Sequence, residues 1–371
     1  MTLRTALCDV LGIEHPILQS GMGGVAGPEL VAEVSRAGAL GILAGLNIPG
    51  EALRKRIRQV RELTDRPFGV NLWLHTELRP PTDPATIPDS VLRRVQDTLN
   101  RFRERLGIAV ISGRPDPAPD LVDEAIEVIL EERVPVLSSA LGIPDVALVR
   151  RCWERGVKVV AMVATVEDAR RAAGIGADVV IAQGSEAGGH RSTGAKGPSP
   201  ETASVGTLAL VPQVVDAVTV PVVAAGGIAD GRGLVAALAL GAAGILLGTR
   251  FVATRESMAQ EFYKKALLES EAEATTITDA FSGLYARALR NRFAREYAES
   301  GAPVLPALLQ RNAAADIFAA STAQGDGSYV PMWSGQSVGL IRDLPGAAEV
   351  VETIVREARA VLQDLASRLL S

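Results

Sequence analysis

The sequence predicts an α/β chain: a (β/α)8 TIM barrel with a small helical cap subdomain inserted after the eighth strand. Three observations carry that expectation. Eight short apolar runs alternate with helical patterns over residues 1–250. The runs are continuously apolar, as parallel strands covered by helices on their outer face should be. Beyond residue 250 the pattern turns to helix after helix without strands. An open doubly wound sheet would also alternate in this way, but the count of eight and the span favour the barrel.

The elements follow in order. Pro16-Ile-Leu-Gln-Ser is the first strand, followed by Gly21-Met-Gly-Gly. Pro28 opens a helix at its first turn, Gly38 stops it, and 40–44 is the second strand. An amphipathic helix over 49–63 leads to the third strand, 68–73. Residues 76–119 interrupt the rhythm with seven prolines around a polar helix at 89–106, so they read as an insertion on the third loop. The period resumes with helix 120–131, strand 134–138, helix 144–155, strand 157–161, helix 166–173 and strand 178–182. A long loop, 184–204, precedes helix 205–217, strand 221–225, helix 230–240 and the last strand, 243–247. Cap helices are expected at 257–270, 285–300 and 305–320, then a Gly/Ser loop at 325–336 and a closing helix at 346–369. The expected division is a barrel over 1–250, a helical cap over 251–325, and a loop and closing helix over 326–371.

Composition bounds the function. The chain has 371 residues, 47% hydrophobic and 22% charged, enough to bury a large core. A net charge of −5 argues against nucleic acid as a main partner. No apolar run reaches about 18 residues and no secretory signal is visible, so the expected location is cytoplasmic. Cys8 and Cys152 read as free thiols, and three histidines make a histidine-rich metal site improbable. A homodimer is compatible with all of this.

In a barrel, ligands bind at the C-terminal ends of the strands, and every unusual loop falls there. The loop after the sixth strand, Gln183-Gly-Ser-Glu-Ala-Gly-Gly-His-Arg, is central. Gly184, Gly188 and Gly189 let backbone approach a flat ligand, and His190 supplies a proton acceptor near neutral pH. Gly226 and Gly227 after the seventh strand, and Leu247, Gly248 and Thr249 at the eighth, suit a phosphate: uncovered amides plus a hydroxyl donor. A flavin mononucleotide (FMN) anchored there could lay its ring across the mouth, meeting Gly21, Met22, Gly23 and Asn71 at its edge and Gln183 to Gly189 at its face. The Gly21 motif lacks the acidic residue of a dinucleotide-binding unit, so a Rossmann-bound nicotinamide is not supported. His75, Tyr329, Trp333 and Gln336 are candidate substrate contacts, although His75 reads more readily as a surface loop residue and Tyr329 and Trp333 equally as packing residues. Glu186 could orient His190 or Arg191, or equally be a solvated loop carboxylate. Arg287, Arg290, Arg292 and Arg295 read as one basic cap helix, either a solvated face or a reader of an anionic substrate tail.

These motifs resemble the nitronate monooxygenases, formerly called 2-nitropropane dioxygenases, and the related flavin-dependent enoyl-thioester (enoyl-ACP) reductases. The pieces are Pro16-Ile-Leu-Gln-Ser-Gly-Met-Gly-Gly-Val, Gly69-Val-Asn-Leu, Ala182-Gln-Gly-Ser-Glu-Ala-Gly-Gly-His-Arg, Pro221-Val-Val-Ala-Ala-Gly-Gly-Ile-Ala-Asp-Gly, Gly248-Thr-Arg-Phe and Ser334-Gly-Gln. The resemblance implies a barrel, one non-covalent FMN and His190 as a base. Leu246 stands where relatives often carry Gln, and Ser334 where Ala is common. The implied reaction is FMN-dependent oxidation of alkyl nitronates and nitroalkanes with O2 to a carbonyl compound and nitrite. Two alternatives stand beside it: an NAD(P)H-dependent FMN reductase of enoyl thioesters or quinones, and a flavin-binding protein without turnover.

Overall fold

The computed structural model describes residues 3–75, 78–193 and 204–369. Eight strands build the barrel: β1 (Ile17–Gln19), β2 (Gly41–Ala44), β3 (Phe68–Trp73), β4 (Val136–Ala140), β5 (Lys158–Val163), β6 (Val179–Gln183), β8 (Val222–Ala225) and β9 (Gly244–Leu247). All pair in parallel, in the order β1-β9-β8-β6-β5-β4-β3-β2. A bridge between Leu18 and Leu40 brings the ends together and closes the ring. The expected (β/α)8 architecture is therefore what forms.

Side chains alternate inward and outward along each strand. Leu18, Ile42, Val160, Ile181, Val223 and Leu246 fill the interior. Their neighbours Ile17, Leu43, Val159, Val180, Val222 and Leu247 face the surrounding helices. Those helices are α2 (Pro28–Arg36), α3 (Gly50–Leu63), α5 (Val122–Glu131), α6 (Val146–Trp153), α7 (Val166–Gly174), α8 (Thr207–Ala217) and α9 (Gly231–Ala239), with the closing helix α15 (Ala347–Leu369) packed on α9 and α2. A helix not expected from the sequence, α1 (Ala6–Leu11), drives Leu7, Cys8 and Leu11 into the interior cluster and plugs the barrel floor. Only six residues long, it gives too little periodicity to be read locally.

The cap differs from expectation. It contains two strands, β10 (Thr275–Thr278) and β11 (Ala286–Leu289), which pair antiparallel. β11 also pairs with β7 (Gly189–His190), the end of the sixth loop, with Ala286 opposite His190. The helix expected over 285–300 thus begins only at Arg292, as α12 (Arg292–Glu299), where Asn291 accepts from the Ala294 amide and caps it. Cross-strand pairing with the histidine loop overrides local helical preference here. The first expected cap helix shortens to α11 (Glu261–Leu268), after the four-residue α10 (Thr249–Val252). The third splits at Ala314 into α13 (Leu309–Ala313) and α14 (Ala315–Ala323).

The third-loop insertion carries α4 (Asp89–Leu106) as expected, and α4 packs into the cap. Phe102, Phe281, Phe293, Tyr297 and Tyr329 form one shared aromatic core. The Arg103 side chain, 1% exposed, pairs with Asp316 of α14 at 2.8 Å and donates to the Ala313 carbonyl at 2.7 Å. Two segments separated by over 150 residues therefore fold as one unit above the barrel mouth. Among the described residues, no helix is long and apolar enough to cross a membrane.

Candidate active site

A cavity of about 660 Å³ opens where the C-terminal ends of the strands meet the cap. His190 stands in its wall. Its ring is wedged between two indoles, Trp73 at 4.7 Å and Trp333 at 4.8 Å between centroids. Nε2 lies 2.8 Å from the Ser282 hydroxyl oxygen, the hydrogen bond this ring makes with the described residues. The residue is half-buried and lines the cavity. Desolvation pushes its pKa down to about 3, and the positive charge of Arg311 adds to the shift. The imidazole is neutral at physiological pH.

Gln183 pins the loop that carries this histidine. Its side-chain nitrogen donates to the His190 carbonyl at 2.9 Å, and its oxygen accepts from the Ser192 amide at 2.8 Å. Arg191, 1% exposed, turns inward and donates to the carbonyls of Gln183 and Gly184. Glu186 makes no hydrogen bond to His190 or Arg191 and is not a solvated loop carboxylate either. Its carboxylate accepts from the amide and hydroxyl of Thr207, at the start of α8, where an anion is favoured by the helix dipole.

Gly188 is required by packing. A Cβ there would lie 2.5 Å from the Gly335 nitrogen and 2.6 Å from the Ser334 carbonyl carbon, both backbone atoms. Gly21 is required likewise, because the first loop crosses directly over Asn71 Cβ. Asn71 donates to Ser138 Oγ at 3.1 Å, which leaves its carbonyl oxygen available to a ligand.

The other expected cofactor residues also border the cavity. Met22, Gly23, Gly189, Gly226, Gly227, Gly248 and Thr249 all line the cavity. Gly226 and Gly227 hold φ of +108° and +73°, a conformation that favours glycine. Among the described residues, the amides of Gly226, Gly227 and Gly248 make no hydrogen bond. Thr249 Oγ1 accepts from the Gly335 amide at 2.9 Å, so its own proton is available to a ligand. Uncovered amides plus a hydroxyl fit an anionic group such as a phosphate.

Other expectations fall away. Leu247 points outward into the helical layer and its carbonyl accepts from the Ser20 amide, while Leu246 is the neighbour that lines the cavity. Gly184 packs against Thr207 rather than lining the cavity. His75 is buried, not a surface residue, and borders a separate small pocket with Trp73, Arg79 and Leu308. Tyr329 lies in the cap core against Phe102, and Gln336 hands its amide to the Glu186 carbonyl. Of the four substrate candidates, Trp333 alone lines the main cavity among the described residues. The four cap arginines do not share a helix. Arg287 sits on β11, buried, and donates to the Ser185 carbonyl at 2.9 Å; Arg292 and Arg295 lie on the exposed face of α12.

Three cavity residues that bear on His190 were not anticipated: Trp73, Ser282 and Arg311. Trp73 ends an expected strand, whereas the other two reach the site from the cap. No local motif marks them, because their role depends on how the cap folds over the barrel.

The model of the nitronate monooxygenase family matches residues 4–357. The chain belongs to that family. A probable nitronate monooxygenase of Staphylococcus saprophyticus is 35% identical over 98% of this chain and 99% of its own length. One from Staphylococcus aureus is 34% identical over 97% and 99% respectively. Among solved structures, nitroalkane oxidase from Streptomyces ansochromogenes superposes with a TM-score of 0.85 at 36% identity, covering 96% of this chain and all of that one. FabK from Thermotoga maritima gives 0.77 at 34% identity over 99% of both chains. The protein is thus an oxidoreductase of a flavoenzyme family that oxidises nitronates.

Proposed function

We propose that this protein is an FMN-dependent enzyme that converts alkyl nitronates and nitroalkanes, with O2, to a carbonyl compound and nitrite, with His190 as the base. The observation that carries this reading is one cavity lined by both a neutral, wedged histidine and uncovered glycine amides. The amides of Gly226, Gly227 and Gly248, with the Thr249 hydroxyl, would hold the phosphate of FMN. Met22, Gly23, Asn71, Gly188 and Gly189 would border its ring. Bound there, FMN supplies the electron acceptor and the site of reaction with oxygen.

The residues of the chain handle the proton. The Ser282 hydroxyl has the Leu284 carbonyl 3.3 Å away as an acceptor. Donating there, it accepts from His190 Nε2–H and so leaves Nδ1 unprotonated. Nδ1 then removes the α-proton of a neutral nitroalkane; a preformed nitronate bypasses that step. Trp73 and Trp333 hold the ring in place and keep water from it. Residues 1–250 act as the cofactor-binding barrel in this reading, 251–325 as its cap, and 326–371 supply Trp333 and the closing helix.

The likeness to FabK favours a second reading, reduction of an enoyl thioester or quinone with NAD(P)H. Anaerobic mixing of the yellow holoenzyme with each reductant separates them. Bleaching by a nitronate and not by NADH or NADPH supports oxidation; rapid bleaching by a nicotinamide supports the reductase. Protein that retains no flavin defeats both.

A further inference from the structure

The cavity wall carries an uncompensated charge. Among the described residues lining it there is no Asp, Glu or Lys; the charged residues are Arg56 and Arg311. Arg56 stands on α3, in the helical ring outside the barrel. Arg311 stands on α13 and lines the cavity, as do Leu308, Phe318 and Thr322 of the cap. Its guanidinium makes no ion pair or hydrogen bond with the described residues; the residue is exposed and is close enough to His190 for its charge to act on the ring. With no carboxylate in the lining to offset it, this charge draws an anion entering the cavity from water.

Its surroundings decide which anion. The uncovered amides suited to the flavin phosphate lie at the ends of β8 and β9, whereas Arg311 reaches the cavity from the cap, within range of His190. A nitronate is planar and presents two oxygens that share one negative charge, as a carboxylate does. The guanidinium fork matches that shape with two parallel N–H donors. We propose that Arg311 binds the nitronate oxygens while His190 faces the adjacent carbon. This rests on the oxidation reading above and adds the residue that recognises the anion. It also makes the cap, rather than the barrel, the part that distinguishes the anionic substrate from its neutral acid.

The test compares flavin-loaded wild type, Arg311→Met and Arg311→Lys by oxygen uptake, with a primary alkyl nitronate and with the neutral nitroalkane. Arg311→Met should raise KM for the nitronate roughly 10- to 100-fold, with less than about threefold change for the nitroalkane. Arg311→Lys should fall between. Nitrate, a planar unreactive anion, should perturb the flavin absorbance of wild type and not of Arg311→Met. A variant with full flavin content, wild-type KM for nitronate and the same nitrate response overturns the assignment of Arg311. Wild type that binds flavin but never oxidises nitronate overturns the oxidation reading instead, and the nitronate as ligand with it.

Discussion

His190 Nε2 and Ser282 Oγ, 92 residues apart, meet at 2.8 Å. One belongs to the loop after the sixth barrel strand, the other to a turn between the two cap strands. Ser282 is 2% exposed and is held by the backbone of Leu284. The cap therefore sets the orientation of the histidine as well as covering it.

Ser282→Ala should lower kcat on a neutral nitroalkane by roughly 3- to 30-fold, because the ring loses the partner that fixes its tautomer. Turnover of preformed nitronate should change little, and Ser282→Thr should restore most of the loss. Equal loss on both substrates would mean that Ser282 serves the fold, not the base.

His190→Asn should cost roughly 10²–10⁴-fold on neutral nitroalkane and spare much of the activity on nitronate. Initial rates of nitrite release on the two substrates measure the split. Parallel loss would remove His190 from the proton-transfer step.

The low pKa of His190 has a definite sign. The folded ring takes up its proton near pH 3, because burial disfavours the charge and Arg311 repels it, whereas the unfolded ring does so near 6.5. The base therefore stays unprotonated as pH falls from 7 to 5, and kcat/KM for a neutral nitroalkane should show no histidine limb in that range. Over the same range the unfolded state binds the extra proton, so wild type should lose stability relative to His190→Asn below about pH 6.5. Thermal melts of both proteins at pH 7 and pH 4.5 test this; a constant difference in Tm would contradict it.

Gly188→Ala should displace the sixth loop from Ser334 and Gly335, since both contacts are backbone and neither can rotate away. A cost of about 1–3 kcal/mol and weakened flavin retention are expected. Gly23→Ala, with nothing within 4 Å of the added carbon, should leave stability unchanged. Urea melts and flavin absorbance after gel filtration report on both variants.

Arg103→Met should destabilise the protein by about 3 kcal/mol, the lower end for a broken buried pair, because Asp316 reaches solvent. The loss should appear in chemical denaturation. A variant as stable as wild type would show that α4 and α14 do not depend on this link.

Much of the architecture was legible in the residues themselves. Continuous apolar runs such as 178–182 can be satisfied only in a strand buried on both faces, and eight of them in regular alternation leave few topologies. The glycines at 188, 226, 227 and 248 could be read for the same local reason, since backbone that approaches another chain or ligand excludes a Cβ. His190 was conspicuous because it ends such a loop.

The rest required the folded chain. Residues 286–289 have no strong strand signature and become a strand because the histidine loop offers them an edge. Tyr329 and Trp333 are four residues apart in one loop, yet one enters the cap core and the other the cavity wall. Leu246 and Leu247 look alike in sequence, and strand alternation alone sends the first inward and the second outward. Ser282 and Arg311 carry no motif; proximity to His190 gives them their chemistry. Sequence by itself determined the barrel and the glycine-lined side of the site, because those depend on local pattern and backbone freedom. Tertiary structure decided the side built by the cap, because a contact between residues 92 positions apart is fixed by packing and leaves no local trace.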